Sequence, residues 1–221
     1  MLSRRTVVVG GLLASSGTML AGCGGASRKV AEGALVDDEG TPVAAELLKE
    51  GPLGDKALGN PNAPVTMIEY ASLTCPFCRK FHTTTYPRLK TEYIDTGKVR
   101  YIVREFPIGR SAAAAAVVTR CAPESQYFTL FDKFLVDQRH WTGQTVRPDA
   151  IYKVAAQTGM SRQTFDTCMA NQTIIDGLVW VKQRGRKFGV SGTPTFFINQ
   201  KKIRGALTFD QIKAMVDPHI T

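Results

Sequence analysis

Ser72-Leu73-Thr74-Cys75-Pro76-Phe77-Cys78 is the stretch that orders the rest of the chain. An apolar run, Val65 to Ala71, leads into it, and a helical pattern leaves it. Proline is favoured at the first position inside a helix, where its missing N–H is no loss, so Pro76 places Cys75 at the N-cap. An N-cap side chain accepts hydrogen bonds from the backbone N–H groups two and three residues on, here those of Phe77 and Cys78. A thiolate there gains those bonds and meets the positive end of the helix dipole, so its pKa is expected to fall. Cys78 stands one turn further along the same face, within disulfide reach. These residue types predict a redox dithiol whose first sulfur is activated.

Upstream, the N-terminus sets the compartment. Met1 to Arg5 is short and basic, Thr6 to Ser27 carries no charge, and Val7 to Leu20 is apolar but diluted by Gly and Ser. That pattern suits a signal sequence better than a membrane span. Leu20-Ala21-Gly22-Cys23 resembles the lipobox of bacterial lipoproteins, which would make Cys23 the lipidated first residue; ordinary signal cleavage with Cys23 incidental is the alternative. Ser3-Arg4-Arg5 resembles a twin-arginine signal, with Val7 and Val8 a loose fit to the rest of that pattern. Either route puts the mature protein in the periplasm or cell envelope, where disulfides persist. The cysteine count agrees. Five is odd for an exported protein. Lipidation of Cys23 removes one and Cys75 with Cys78 takes two, which leaves Cys121 and Cys168 to pair as a structural disulfide; two free buried thiols are the alternative. Closing so long a loop would stabilise the fold by roughly 2–4 kcal/mol.

The 221 residues are 43% hydrophobic and 21% charged, which bounds the chain to one ordinary domain, or one with an insertion, and excludes wholesale disorder. Net charge is +9, and losing Arg4 and Arg5 with a leader leaves +7. The basic residues are scattered and no binding motif accompanies them, which argues against nucleic acid. A soluble basic protein is the plain reading; a basic face toward anionic lipid or acidic clients is the alternative.

Along the chain, residues 1–22 read as signal peptide and 23–55 as a tether or loosely packed arm, with one short amphipathic piece at Val43 to Lys49. After the turn cluster Asn60-Pro61-Asn62-Ala63-Pro64, Val65 to Ala71 suits a central buried strand. A helix from Pro76 to about Thr85 gives way at Pro87 to a second piece ending near Asp95, with Gly97 as its C-cap residue. Val99 to Phe106 is a second strand, and the spacing predicts a parallel β-α-β crossover. From Ser111 to about Lys187 the pattern is helical throughout, with apolar stripes that read as core. Lys182 to Lys187 supplies positive charge at a helix C-terminus, with contact to clients or membrane as the alternative. Strand grammar returns at Gly192 to Asn199, Lys201 to Ala206 forms its hairpin partner, and Thr208 with Gln211 marks a capping box for the last helix.

That order, together with Cys75-Pro76-Phe77-Cys78 and with Gly192-Thr193-Pro194 about 115 residues further on, resembles the DsbA-type thiol:disulfide oxidoreductases from about Ala57 to Val216. The resemblance implies a thioredoxin-like α/β fold with an inserted all-α helical domain: residues 56–109 as its N-terminal half, 110–188 as the insertion and 189–221 as its C-terminal half. It also implies an enzyme that donates the Cys75–Cys78 disulfide to folding exported proteins, needing no cofactor or metal. A quinone-linked membrane oxidase, similar to DsbB, would recharge it. By the same resemblance Pro194 is a cis-proline facing the disulfide, Glu69, six residues before Cys75, is a buried acid handling protons for Cys78, and Thr193, Pro76 and Phe77 contact clients. No dimerisation arm is evident, which favours a monomer. Two departures bear on direction. Phe77 stands where the best-known members carry histidine, so one stabiliser of the thiolate is missing and a milder oxidant is expected. Thr193 before the proline resembles the isomerase and reductase branches, so an isomerase or reductase kept reduced by a membrane partner remains the alternative. A non-catalytic chaperone or metal module is the reading from another class, disfavoured because Cys75 and Cys78 have no second ligand pair. His82, His140 and His219 are separated in sequence, and none is assigned to chemistry.

Overall fold

A computed structural model describes residues 44–220. The leader, Cys23 and most of the expected tether lie outside the described residues. Val65–Ala71 (β2) forms a strand with the bounds its apolar run predicts, and six of its seven residues are buried. It lies at the middle of a five-stranded sheet, parallel to β3 (Val99–Glu105) and antiparallel to β4 (Thr195–Ile198). The parallel β2–β3 pair requires a crossover, which α2 (Pro76–Thr84), α3 (Tyr86–Leu89) and a π-helical turn, Lys90–Ile94, supply. Pro87 divides the helix because it can neither donate to the preceding turn nor fit its carbonyl.

The sheet has two edges. β1 (Lys56–Leu58) pairs antiparallel with β3. β5 (Lys201–Arg204) pairs with β4 and exposes three charged side chains, which discourages edge-to-edge association. Asn199 makes the hairpin turn at φ 49°, and its Oδ1 accepts from Thr66 N at 3.0 Å, tying the turn back to β2. The last helix (Phe209–Val216) carries the expected Thr208–Gln211 capping box.

Between β3 and β4 the chain is helical: α4 (Arg110–Cys121), α5 (Glu124–Val136), α6 (Gln138–Trp141), α7 (Pro148–Ala155), α8 (Arg162–Met169) and α9 (Gln172–Lys187). Apart from a small cluster of Ala116, Val117 and Leu178, the insertion shares its core with the sheet. Phe131, Phe134 and Trp141 from the insertion share one buried cluster with Cys78, Phe81, Tyr101 and Phe196. Cys121 of α4 and Cys168 of α8 are joined, with Cα atoms 6.0 Å apart.

The arm expected as a tether through residue 55 contains a short helix and is packed at Leu47. Leu47, on the short helix α1 (Ala44–Leu48), is fully buried against Tyr70 and Phe197. The buried Arg104 draws the arm down: its guanidinium donates to Leu47 O at 2.6 Å and to both oxygens of Asp55 at 2.9 and 2.8 Å. A charge taken out of water needs such partners, and the arm's carbonyls provide them.

Candidate active site

Pro76 opens α2 and leaves Cys75 at the N-cap, with φ −80° and ψ 122°. In the thiol form Cys75 Sγ does not accept the capping bonds; it turns and donates to Thr193 O at 3.1 Å. The thiolate is strongly favoured all the same. The Cys75 pKa is lowered to about 5, chiefly by a hydrogen bond from the Cys78 thiol and then by Thr193 and the amides of Cys78 and Phe77, against the opposing effect of burial. The Thr193 hydroxyl is buried with no partner in the thiol form, so it is free to donate to sulfur.

The second sulfur is its opposite. Cys78 is fully buried, and burial, its hydrogen bond to Cys75 and the negative field of Glu69 all push its pKa well up. Both cysteines are free thiols here. Cys75, still 9% exposed, is therefore a ready thiolate, and the fully enclosed Cys78 holds its proton.

The surrounding loop is held from both directions. The Thr193-Pro194 peptide is cis, which lays the Thr193 carbonyl alongside Cys75. Gln138, at the start of α6, donates to Leu73 O at 2.8 Å and to Cys75 O at 2.9 Å, so the helical insertion clamps the cysteine loop directly. Thr74 Oγ1 donates to Ile108 O and Ile108 N donates to Ser72 Oγ, which fastens the loop to the segment after β3. Pro76 and Phe77 are exposed, Phe77 at 60%. No local pattern marks Gln138, because its targets lie more than 60 residues away in the chain.

Glu69 is fully buried on β2, in register with Val103 of β3 and Phe196 of β4. Its Oε2 accepts from Tyr101 OH and lies 3.1 Å from His82 Nε2, while Oε1 has no partner. His82 Nδ1 in turn lies 2.9 Å from Asp132 Oδ1. This corrects the reading of the histidines: His82 is buried and paired, whereas His140 and His219 are exposed. The spacing held a usable signal, since His82 falls four residues after Cys78 on the buried face of α2. Among the described residues no group of three or more His, Cys, Asp or Glu side chains is placed to hold a metal, and no helix is long and apolar enough to cross a membrane.

Residues 53–218 match the thioredoxin family, three quarters of the chain. A solved structure, alpha-DsbA1 of Wolbachia pipientis, is 32% identical and superposes with a TM-score of 0.74 over 79% of this chain and 94% of its own. The chain belongs to the thioredoxin family, on its DsbA-like side. A Rickettsia conorii protein, whose name provisionally assigns it as a protein-disulfide oxidoreductase, is 33% identical over 165 residues, 74% of this chain. The aligned part spans 59% of that relative's length. A protein-disulfide isomerase from Novosphingobium aromaticivorans is 27% identical, with a TM-score of 0.65 over 79% of this chain and all of its own. The thioredoxin-like fold with a helical insertion, which the family resemblance implied, is the fold observed.

Proposed function

We propose that this protein is an exported thiol:disulfide oxidoreductase that donates the Cys75–Cys78 disulfide to folding proteins of the cell envelope. The observation that carries the reading is the asymmetry of the two sulfurs: Cys75 the less enclosed, with its pKa lowered to about 5, Cys78 fully enclosed, with its pKa raised. A client thiolate attacks Cys75 Sγ, the accessible sulfur, and the S–S electron pair leaves with Cys78, which takes up a proton. A second client thiolate then attacks the client sulfur of the mixed disulfide. The client disulfide forms, and Cys75 departs as the stabilised thiolate, a good leaving group. Glu69 is the buried carboxylate whose charge acts on Cys78, and it serves the proton step. The exposed Pro76 and Phe77 together with the Thr193-Pro194 backbone form the surface a client strand would meet.

Export by the N-terminal leader, lipidation at Cys23 and recharging by a DsbB-like, quinone-linked membrane oxidase complete the proposal; a lipid anchor would hold the enzyme beside that partner. The likeness to a protein-disulfide isomerase and the threonine before Pro194 favour a second reading, in which the pair is kept reduced and reshuffles disulfides. Thiol trapping in the native host separates the two. A Cys75–Cys78 pair found mostly oxidised supports donation, and one found mostly reduced overturns it. In vitro, purified protein is mixed with a reduced, unfolded client and disulfide formation is followed; full activity in Cys75→Ser refutes the mechanism.

A further inference from the structure

The chemistry above leaves one charged group unused. His82 is a buried histidine carrying a carboxylate on each ring nitrogen, Glu69 on the β2 side and Asp132 on α5. Tyr101 OH approaches Nε2 at 3.4 Å while donating to Glu69, and the rings of Tyr86 and Phe131 pack against the imidazole at 4.8 and 5.3 Å between centroids. Of the titratable groups facing it, the two tyrosines are neutral, because burial holds both phenol pKa values up. The imidazole is therefore enclosed by two acids and apolar rings. Burial alone would strip its proton, but Glu69 and Asp132 outweigh burial and lift its pKa to about 9. Asp132 reaches solvent, its side chain 38% exposed, whereas Glu69 does not. Glu69 has one oxygen committed to His82 and Tyr101 and one without a partner, and its charge acts on the sulfur of Cys78.

We infer that His82 is the proton store for Cys78, acting through Glu69 and held in its charged state by Asp132. When the Cys75–Cys78 bond breaks, its electron pair goes to Cys78. The Nε2 proton of His82 passes to Glu69, and Glu69 delivers a proton to the Cys78 thiolate, leaving the imidazole neutral and the sulfur as S–H. After the forward step the neutral ring takes up a proton from solvent on the Asp132 side. In the reverse step the ring releases that proton to solvent on the same side, and Cys78 returns its own through Glu69 to the ring as its sulfur closes the disulfide. His82 never touches the reacting sulfur; it is a positioning residue that supplies charge and a proton through its neighbour. Without it, a thiolate would form in a buried site already facing a carboxylate, a cost that slows bond breaking.

The inference rests on the exchange chemistry proposed above, so its test uses a small thiol in place of a client. Oxidised protein is reduced by glutathione in single turnover from pH 5.5 to 10, and rates are divided by the glutathione thiolate fraction. For the unaltered protein the corrected rate is expected to stay level to about pH 8 and to fall as His82 deprotonates near pH 9. In His82→Gln, which keeps a neutral hydrogen-bonding group beside Glu69, the corrected rate at pH 7 drops about tenfold or more and the alkaline limb disappears. In Asp132→Asn, a change at a partly exposed position, the limb moves to lower pH because the imidazolium loses a partner. Alkylation of Cys75 in the reduced proteins keeps its pH midpoint in both variants. A His82→Gln rate within twofold of the parent with the limb intact, or an Asp132→Asn limb that does not move, overturns the inference. Failure of the donor reading would look different: glutathione exchange and its pH profile intact, with no disulfide passed to a reduced client.

Discussion

Replacing Cys78 by alanine tests the assignment of what activates Cys75. The largest single contribution to the low pKa of Cys75 is the hydrogen bond from the Cys78 thiol, ahead of Thr193 and the two amides. A hydrogen bond to a charged group is worth about 1.5–3 kcal/mol, and at about 1.36 kcal/mol per pKa unit its loss raises the value by roughly one to two units. The Cys78→Ala protein is therefore expected to titrate at about 6–7 instead of about 5. The smaller side chain also relieves some burial of the sulfur, which works in the opposite direction and favours the lower end of that range. The thiolate absorbs in the ultraviolet where the thiol does not, so a pH titration of absorbance reads the value directly, with the rate of iodoacetamide alkylation as an independent check. An unaltered protein that titrates near 8.5, as a free cysteine does, would refute the geometry. A Cys78→Ala midpoint still at about 5 would show that the helix start and Thr193 do the work and that the thiol–thiolate bond contributes nothing.

Three further outcomes follow from the fold. Replacing Cys121 and Cys168 together by alanine opens a 47-residue loop and is expected to lower stability by roughly 2–4 kcal/mol in urea unfolding, leaving the Cys75 titration where it is; a loss under about 1 kcal/mol would mean that the α4–α8 packing carries this region alone. Asp55→Ala leaves the buried Arg104 guanidinium without its carboxylate and is expected to cost about 3–5 kcal/mol, with new proteolytic cleavage between residues 44 and 55; an uncleaved arm would overturn the anchoring role given to Arg104. With Cys75 and Cys78 as free thiols, His82 has a folded pKa of about 9 against 6.5 unfolded, so its stabilising contribution is complete below pH 6.5 and is lost as pH rises through about 9. Its ceiling is about 3 kcal/mol, read as the difference between parent and His82→Gln unfolding curves across that window; parallel curves would place the ring outside the charged pair.

Where partners are adjacent in sequence, the chain was legible. Val65–Ala71 reads as a buried strand because nearly every side chain in it is apolar, and Thr208 with Gln211 reads as a capping box because the motif spans three residues. The cysteine pair and its order of reactivity follow from a proline one residue after Cys75. Where partners are distant, local pattern was silent. β1 is only three residues, none of them buried, so neither alternation nor an apolar run announces it. The arm at residues 44–55 is polar enough to read as tether, and the partners that hold it, Arg104, Arg120 and Arg184, lie some 50 residues on or further. His82 stands 13 residues from Glu69 and 50 from Asp132, on three different elements, so a histidine that looks isolated in sequence is the centre of a charged trio in which it and Glu69 are buried. Glu69 is the intermediate case: an acid inside an apolar run signals burial, but the company it keeps comes from the fold alone.

The asymmetry of the two sulfurs also bears on how strong an oxidant this chain can be. With Cys75 at about 5 and an unfolded thiol near 8.5, thiolate formation favours the reduced fold by about 2.7 kcal/mol at pH 7 before screening. Cys75 keeps 9% of its surface open to solvent, and water at that edge weakens such interactions, so about 1–2 kcal/mol is the usable share. As depressed acids do, it acts fully above the unfolded pKa and fades as pH falls through about 5. For a two-electron couple this is roughly 20–45 mV, set against the roughly 150 mV that separate thioredoxin from DsbA. Beyond its amide, Phe77 adds no donor: its ring is 60% exposed and carries no polar atom. The remaining lever is the buried side, where a neutral Cys78 thiol sits beside Glu69 and the His82 charge offsets that carboxylate. Stabilising that thiol favours the reduced form further, so a measured potential more oxidising than the Cys75 thiolate alone explains would point to Cys78 and its acid–histidine neighbours. A potential at or below that of thioredoxin would leave the donor reading without its driving force.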